Sequence, residues 1–596
     1  MFWIHGGAFT GGSGSDPTFD GGNLASRGDV VVVTINYRLG TLGFLALNDG
    51  ITNGNYGMAD QITALDWVRR NIQDFGGDPN QITIFGQSAG AGSVRALLAS
   101  PKAQGKFAGA IMQSNLGGLA YGTTYSKYYT IEQEMQVAGN AILSETNCTD
   151  ASSQLDCLRA VPATTISSLR ATTRYLVVDG EYLTSSELNL KDPGSTARVP
   201  LMLGTTRDDG ATTIGYPKEG ETFQQFLNRS GLPPIVAGSQ VFPIPSGSNQ
   251  TLNIFNTTVR VATDGMFRCI DQATAYAGFA NKVFPEVFFY EFNRTYPVPE
   301  WSPNPPLCQA PVSSDYPNGD PRREYFKCHS GELYYVFGNV VRQGLPLRDE
   351  FDLPFQQFVL DSWASFARSF NPTPDTKYTK ARGYVNTTRQ VEVTGPWTPF
   401  KHDSYQLRFL QWPSAMVDLD ETEQWFNSQT PSIPQFLRTI IQRPELAALV
   451  KVAVHEGQDF DGSIRYYKHR SLKLAVTGDD LKPLVEYIRT TNVSNCDESI
   501  QELRSVSMDA SVMLQLSQLS SPKSIYLGET SLANAALSDV SFGPPSVRGA
   551  IAFIPFNIYT TSQCCILVLV LANEVQNATS HAVHQKRQRG KKENMR

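Results

Sequence analysis

Charged residues are few. Asp, Glu, Lys and Arg make up 18% of the 596 residues, below the roughly 25% of an average soluble protein. The 50 basic side chains stand against 56 acidic ones, a formal charge of −6, so the chain lacks the basic excess that a nucleic-acid partner would call for. Cysteine is sparse too, eight in all, which excludes a small scaffold held by disulfides. No internal repeat is evident, so a solenoid or propeller is not expected. Long apolar runs are also missing. The charge-free stretch 549–573 ends in Cys564-Cys565-Ile566-Leu567-Val568-Leu569-Val570-Leu571, but Pro555, Asn557 and Thr560-Thr561-Ser562-Gln563 interrupt it. A membrane helix needs about 20 mainly apolar residues, and a span is not expected here. The opening Met1-Phe2-Trp3-Ile4-His5-Gly6-Gly7 has no charged leader, apolar run or cleavage site, so it reads as a strand cut off at its start and not as a signal peptide.

Apolar residues, by contrast, are plentiful: 41% of the chain is hydrophobic and 11% aromatic, enough for a large core and too much for wholesale disorder. Their pattern alternates between two periods. The β-branched run 30–35 and the segment 81–85 read as strands buried on both faces. Between them Ile62, Leu65, Val68 and Ile72 recur at helical spacing over 58–72, and Gly76-Gly77-Asp78-Pro79 breaks the chain before the next strand. Strand, helix, strand in this order predicts an α/β fold with a parallel sheet and crossover helices. Further strands are expected at 199–203 and 287–290, and helices at 263–281 and 356–370. A linker follows at 428–434, where Ser428, Ser432, Pro431 and Pro434 favour extended backbone. The expected division is therefore a catalytic unit over 1–428 and an extension over 429–596, helical at 435–454 and 474–491.

Gly86-Gln87-Ser88-Ala89-Gly90 has the Gly-x-Ser-x-Gly spacing of a nucleophile elbow, with a strand before it and a helix-like 91–100 after it. Small residues on either side of the serine let a sharp turn close while its hydroxyl projects from the sheet. Serine needs an adjacent base, and there are only seven histidines. His5 opens a glycine loop and His455, His469, His581 and His584 follow the linker, leaving His329 and His402. A carboxylate is also required to hold the imidazole tautomer. Asp208 and Asp209, just past the strand at 199–203, both qualify by position. The glycine loop His5-Gly6-Gly7-Ala8-Phe9, with the N–H of Ala89 after the serine, is small enough to form an oxyanion hole.

These segments resemble the type B carboxylesterase and lipase family, which includes the cholinesterases, and are most similar to its fungal secreted members. The resemblance runs from residue 1 to about 425. It is carried by Trp3-Ile4-His5-Gly6-Gly7-Ala8-Phe9, Asn36-Tyr37-Arg38-Leu39-Gly40-Thr41-Leu42-Gly43-Phe44, Gly54-Asn55-Tyr56-Gly57-Met58-Ala59-Asp60-Gln61 and 71–92. It implies an α/β-hydrolase fold and carboxylic-ester hydrolysis through an acyl-serine, with an ester as the small-molecule partner and no metal or organic cofactor. It also implies Ser88 as nucleophile, His329 as base, Asp209 as acid, oxyanion donors at Gly7, Ala8 and Ala89, and Ser114 supporting the acid. A non-catalytic adhesion protein, as some relatives have become, is the alternative.

The resemblance also implies a bridge between Cys148 and Cys157, whose spacing of nine already suits one. Together with sequons at Asn147, Asn228, Asn249, Asn256, Asn293, Asn386, Asn492 and Asn577, it points to a secreted glycoprotein. Three residues depart from the family pattern: Asp209 stands for a glutamate, Ala8 for a third glycine, and Gln87 for the frequent glutamate beside the nucleophile. The family segment that normally precedes the glycine loop is absent, so the sheet is expected to be N-terminally incomplete, with unpaired backbone at one edge. The part past 429 has no counterpart in the family.

Overall fold

The computed structural model describes residues 1–117, 126–239, 241–298, 306–400 and 407–412, together with the backbone of 550–556 and 565–571. The linker at 428–434 and the helices expected at 435–454 and 474–491 lie outside the described residues. So does the boundary between 428 and 429.

Eleven strands are present among the described residues: β1 Phe2–Ile4, β2 Val32–Thr34, β3 Thr83–Gln87, β4 Gly109–Gln113, β5 Tyr129–Thr130, β6 Val177–Val178, β7 Leu201–Thr206, β8 Val287–Phe292, β9 Arg408–Leu410, β10 Ala550–Phe556 and β11 Cys565–Leu571. Strands β5 and β6 pair by themselves, and the other nine form one sheet in the order β10-β11-β2-β1-β3-β4-β7-β8-β9. From β2 to β9 every pairing is parallel. The expected strands are thus found, with ends shifted by up to three residues, because a strand buried on both faces carries no alternation to mark its ends.

Successive side chains of each strand enter opposite cores. Phe2, Ile4, Ile84, Met112, Leu201, Leu203, Val287 and Phe289 belong to one cluster, which also takes in Leu65, Val94 and Leu97. Trp3, Phe85, Ile111, Met202, Phe288 and Tyr290 belong to the other, with Leu24, Phe355 and Trp363. The helices Tyr56–Asn71 and Ala89–Ala99 therefore cover one face, and the helices Gly22–Gly28 and Asp352–Ser369 the other. The helix-rich stretch expected around 263–281 begins further upstream: Gln250–Thr263 runs through a single wide turn at Asp264–Arg268 into Cys269–Ala280.

The unpaired edge expected beside β2 is covered. β11 runs antiparallel to β2, with Val568 opposite Thr34, Leu569 opposite Val33 and Val570 opposite Val32, and β10 pairs with β11 over seven positions. Pro555 falls in β10, the outermost strand, the place in a sheet that tolerates a residue without an N–H. Among the described residues no helix is long and apolar enough to cross a membrane.

Two disulfides are formed among the described residues. Cys148–Cys157 closes the short loop expected from its spacing. Cys308–Cys328, a pairing not foreseen, ties down the loop that ends immediately before His329, and Cys269 stays free and buried. Closing this 20-residue loop limits the unfolded chain by about 3 kcal/mol. Replacing both cysteines by alanine (Cys308→Ala with Cys328→Ala) should lower the urea midpoint by a corresponding amount. An unchanged midpoint would show that the loop is held by packing alone.

Candidate active site

The parallel register brings the C-terminal ends of four neighbouring strands to one edge. Ile4 lies opposite Gly86, Gln87 opposite Gln113, and Gln113 opposite Gly204. The glycine loop, Ser88, Ser114 and the Asp208-Asp209 turn therefore all emerge on the same side, where open α/β sheets build their sites.

Ser88 occupies the turn between β3 and the helix Ala89–Ala99, with φ 59° and ψ −125°, a conformation that non-glycine residues rarely adopt. Its N–H donates to the carbonyl of Gln113 at 2.9 Å. The flanking glycines are there because nothing larger fits. A Cβ on Gly90 would lie 2.0 Å from the Ile4 carbonyl oxygen, and one on Gly86 2.5 Å from the backbone of Gly90. Ala89 is the first residue of the helix, where backbone N–H groups have no partner within the helix.

The glycine loop is held at the opposite side of the turn. Gly7 has φ +110°, and a Cβ there would stand 2.2 Å from the Gly11 carbonyl oxygen. The Gly7 carbonyl accepts from Thr10 and Gly11, and Phe9, fully buried against Phe44, anchors the far end. His5 is buried with its ring stacked on Tyr37, and burial pushes its pKa down to about 4. Its Nδ1 is hydrogen-bonded to the Gly6 carbonyl at 2.7 Å, so the enclosed ring braces the glycine loop.

The two aspartates left open by the sequence part company. Asp209 is fully buried. Its Oδ1 accepts from His329 Nδ1 at 2.8 Å, while Oδ2 accepts from Ser114 Oγ at 2.8 Å and from the N–H of Thr206 at 3.0 Å. Asp208 turns away, accepting from the Arg207 guanidinium and from the N–H of Lys327. Gly210 makes this divergence possible: its N–H donates to Thr263 Oγ1, and a Cβ would lie 2.5 Å from the Thr263 nitrogen, so the turn packs directly on the helix Gln250–Thr263. The buried group Arg268, Asp264 and Glu291 backs it, Arg268 also donating to the Arg207 carbonyl.

His329 comes from the long connection after β8, between the Cys308–Cys328 bridge and the helix Leu333–Phe337. Its side chain keeps 15% exposure beside a fully buried partner. Ser330 behind it has φ 68°. His402, the other candidate, and the four later histidines lie outside the described residues.

One part of the site was not read from the sequence. Glu332, three residues past His329, is buried, and its Oε1 accepts from Gln113 Nε2 at 3.1 Å. Gln113 in turn accepts from the indole of Trp363. Burial, with the nearby Asp209 charge, pushes Glu332 up to about 7. The only sequence signal for it was its place three residues after the histidine.

Residues 1–411 match the model of the carboxylesterase family. The chain belongs to that family. It is similar to the para-nitrobenzyl esterase of Bacillus subtilis (strain 168), at 32% identity over 394 residues covering 63% of this chain and 71% of the relative. Human cocaine esterase is 32% identical over 62% of this chain and 64% of its own length. Mouse bile salt-activated lipase is 30% identical over 62% and 63%. The chain thus spans less than two-thirds of these mammalian relatives. Among solved structures, a PNB esterase superposes with a TM-score of 0.53 at 28% identity, covering 72% of this chain and 80% of that one. The family's parallel sheet flanked by helices is therefore the α/β-hydrolase fold.

The division of labour between the two aspartates is open to a direct test. Asp209→Asn should lower ester turnover by about 10³–10⁴-fold, as loss of the tautomer-holding carboxylate does elsewhere. Asp208→Asn, which weakens the contacts to Arg207 and to the N–H of Lys327 but touches no atom of the imidazole, should lose less than about tenfold. Equal losses in steady-state kinetics would refute the assignment.

Proposed function

We propose that this protein hydrolyses carboxylic esters through an acyl-serine intermediate. The observation that carries the reading is the 2.8 Å contact between His329 Nδ1 and buried Asp209 beside a serine held at φ 59°, ψ −125°. Membership of the carboxylesterase family and similarity to esterases and a lipase support it.

In this mechanism Asp209 accepts the Nδ1–H of His329, which leaves Nε2 as the basic nitrogen. Ser88 Oγ attacks the ester carbonyl as Nε2 takes its proton, and the charge that develops on the imidazolium is stabilised by the buried carboxylate. The carbonyl oxygen becomes an oxyanion facing the backbone N–H groups of Gly7, Ala8 and Ala89. Collapse expels the alcohol, which receives the proton from Nε2. Water then repeats the cycle on the acyl-serine, releasing the carboxylic acid. Ser114 holds Asp209 in orientation by donating to its second oxygen.

A secretory route is the companion reading. Two disulfides form in oxidising compartments, and the sequon residues Asn147, Asn228, Asn249 and Asn386 are exposed. Asn293 differs: its amide donates to Gln411 and its carbonyl oxygen accepts from Arg207, so both ends are already engaged.

Two measurements test these readings. A fluorophosphonate probe should form an adduct on the Ser88 peptide by mass spectrometry. Ser88→Ala should abolish it and lower ester turnover by at least about 10³-fold; undiminished turnover in that variant would falsify the mechanism. Glycopeptide mapping after passage through a secretory pathway should find glycans on Asn147, Asn228, Asn249 or Asn386 and none on Asn293. A glycan on Asn293 would show that its two hydrogen bonds do not shield it, whereas bare asparagine at Asn147, Asn228, Asn249 and Asn386 alike overturns the secretory reading.

A further inference from the structure

Gln87 immediately precedes Ser88 and is almost fully buried, yet the mechanism above gives it no part. Its amide nitrogen stands 3.0 Å from His329 Nε2 and 3.4 Å from His329 Nδ1. A donor on the axis of the Nε2 lone pair would be much farther from Nδ1, because that axis points away from the ring. Near-equal distances place the amide on the flank of the imidazole. The Nε2 lone pair, which lies in the ring plane, is therefore left for another partner.

The NH₂ nitrogen is the end set against the ring, 3.0 Å and 3.4 Å from its two nitrogens, where its hydrogens meet the electron-rich face of the imidazole and not the Nε2 lone pair. The other end points to the glycine loop, since a Cβ built on Gly6 would come within 3.2 Å of Gln87 Oε1. Gln87 thus spans from the base to the first glycine of the oxyanion loop. Phe267 packs against the same ring, centroid to centroid 5.0 Å. The ionisable groups that face His329 are Asp209, in direct contact, and Glu332, whose buried carboxyl is pushed up to about 7.

We propose that Gln87 is a positioning residue: its amide fixes the ring plane of His329 against the oxyanion loop with its Nε2 lone pair clear, and its lack of charge favours the neutral imidazole. The inference rests on the hydrolase reading for its consequence in turnover, but the contact itself is independent of it. Amide hydrogens on the flank of the ring favour the uncharged form. A carboxylate in the same place would instead attract the imidazolium, and would also set a negative charge beside the loop where the oxyanion forms.

The test uses the full chain with Gln87→Glu and Gln87→Met, each checked for folding by thermal melting. NMR titration of histidine selectively labelled with ¹⁵N reads the ring of His329 without any turnover, and the acid limb of kcat/KM reads the same group in action. Gln87→Glu should raise both by about one pH unit. Gln87→Met, which keeps the length and removes the amide, should raise them by less and lower kcat about tenfold with little change in KM. If Gln87→Glu does not fold, the methionine variant decides alone.

A residue that merely packs would lower kcat equally at every pH and leave both titrations in place. Unmoved titrations in the folded variant overturn the proposal, even if Ser88 labels as expected. Absence of labelling with a shifted ring titration would instead overturn the hydrolase reading and leave the placement of Gln87 standing.

Discussion

The carbonyl oxygen of Ile4 lies where a side chain on residue 90 would begin, 2.0 Å from the position of a Cβ. Everything else in the site depends on this close crossing of β1, β3 and the helix Ala89–Ala99. It lets the chain turn sharply enough at Ser88 to hold φ 59°, and it sets the glycine loop that follows β1 against that turn. Strain of this kind, on the order of 1–3 kcal/mol, persists only where the surroundings over-determine the backbone. Here they do: the N–H of Ser88 is bound by Gln113, and every residue of the helix behind it is buried.

A second economy concerns buried charge. A carboxylate removed from water is costly unless each oxygen finds donors. Asp209 has three, from His329, Ser114 and Thr206, whereas its neighbour Asp208 is satisfied by Arg207 and Lys327. The adjacent aspartates serve opposite ends: one orients the imidazole, and the other fastens the turn to the rest of the protein. Glu332, with a single donor from Gln113 and a raised pKa, lets the region hold a further acidic group without a second full negative charge beside Asp209.

The expectations drawn from particular residues fared according to how local their cause was. The elbow was legible because its two glycines answer a steric demand that no other residue meets. The Cys148–Cys157 bridge was legible because nine residues of chain bring the two together. Cys308–Cys328 was not, since 20 residues of loop set no preference among the six remaining cysteines. The role of 565–571 was equally hidden: a short aliphatic run suits a strand or a buried helix alike, and only a neighbour with unpaired backbone decides between them. Strand ends slipped because both faces of the sheet are buried and alternation is lost.

What the sequence determined alone is therefore what short-range sterics and periodicity control: alternating strands and helices, the sharp turn at Ser88, the glycine loop, and a scarcity of histidine that narrowed the candidates for a base to two. The resemblance to esterases then favoured one histidine and one aspartate. Tertiary structure decided the rest. Asp209 meets the imidazole and Asp208 does not because Gly210 lets the turn pack onto the helix Gln250–Thr263. Gln87 sets its amide nitrogen against the flank of the His329 ring, a contact between residues 242 apart. Side-chain direction across such a span is set by packing, and no spacing in the chain records it.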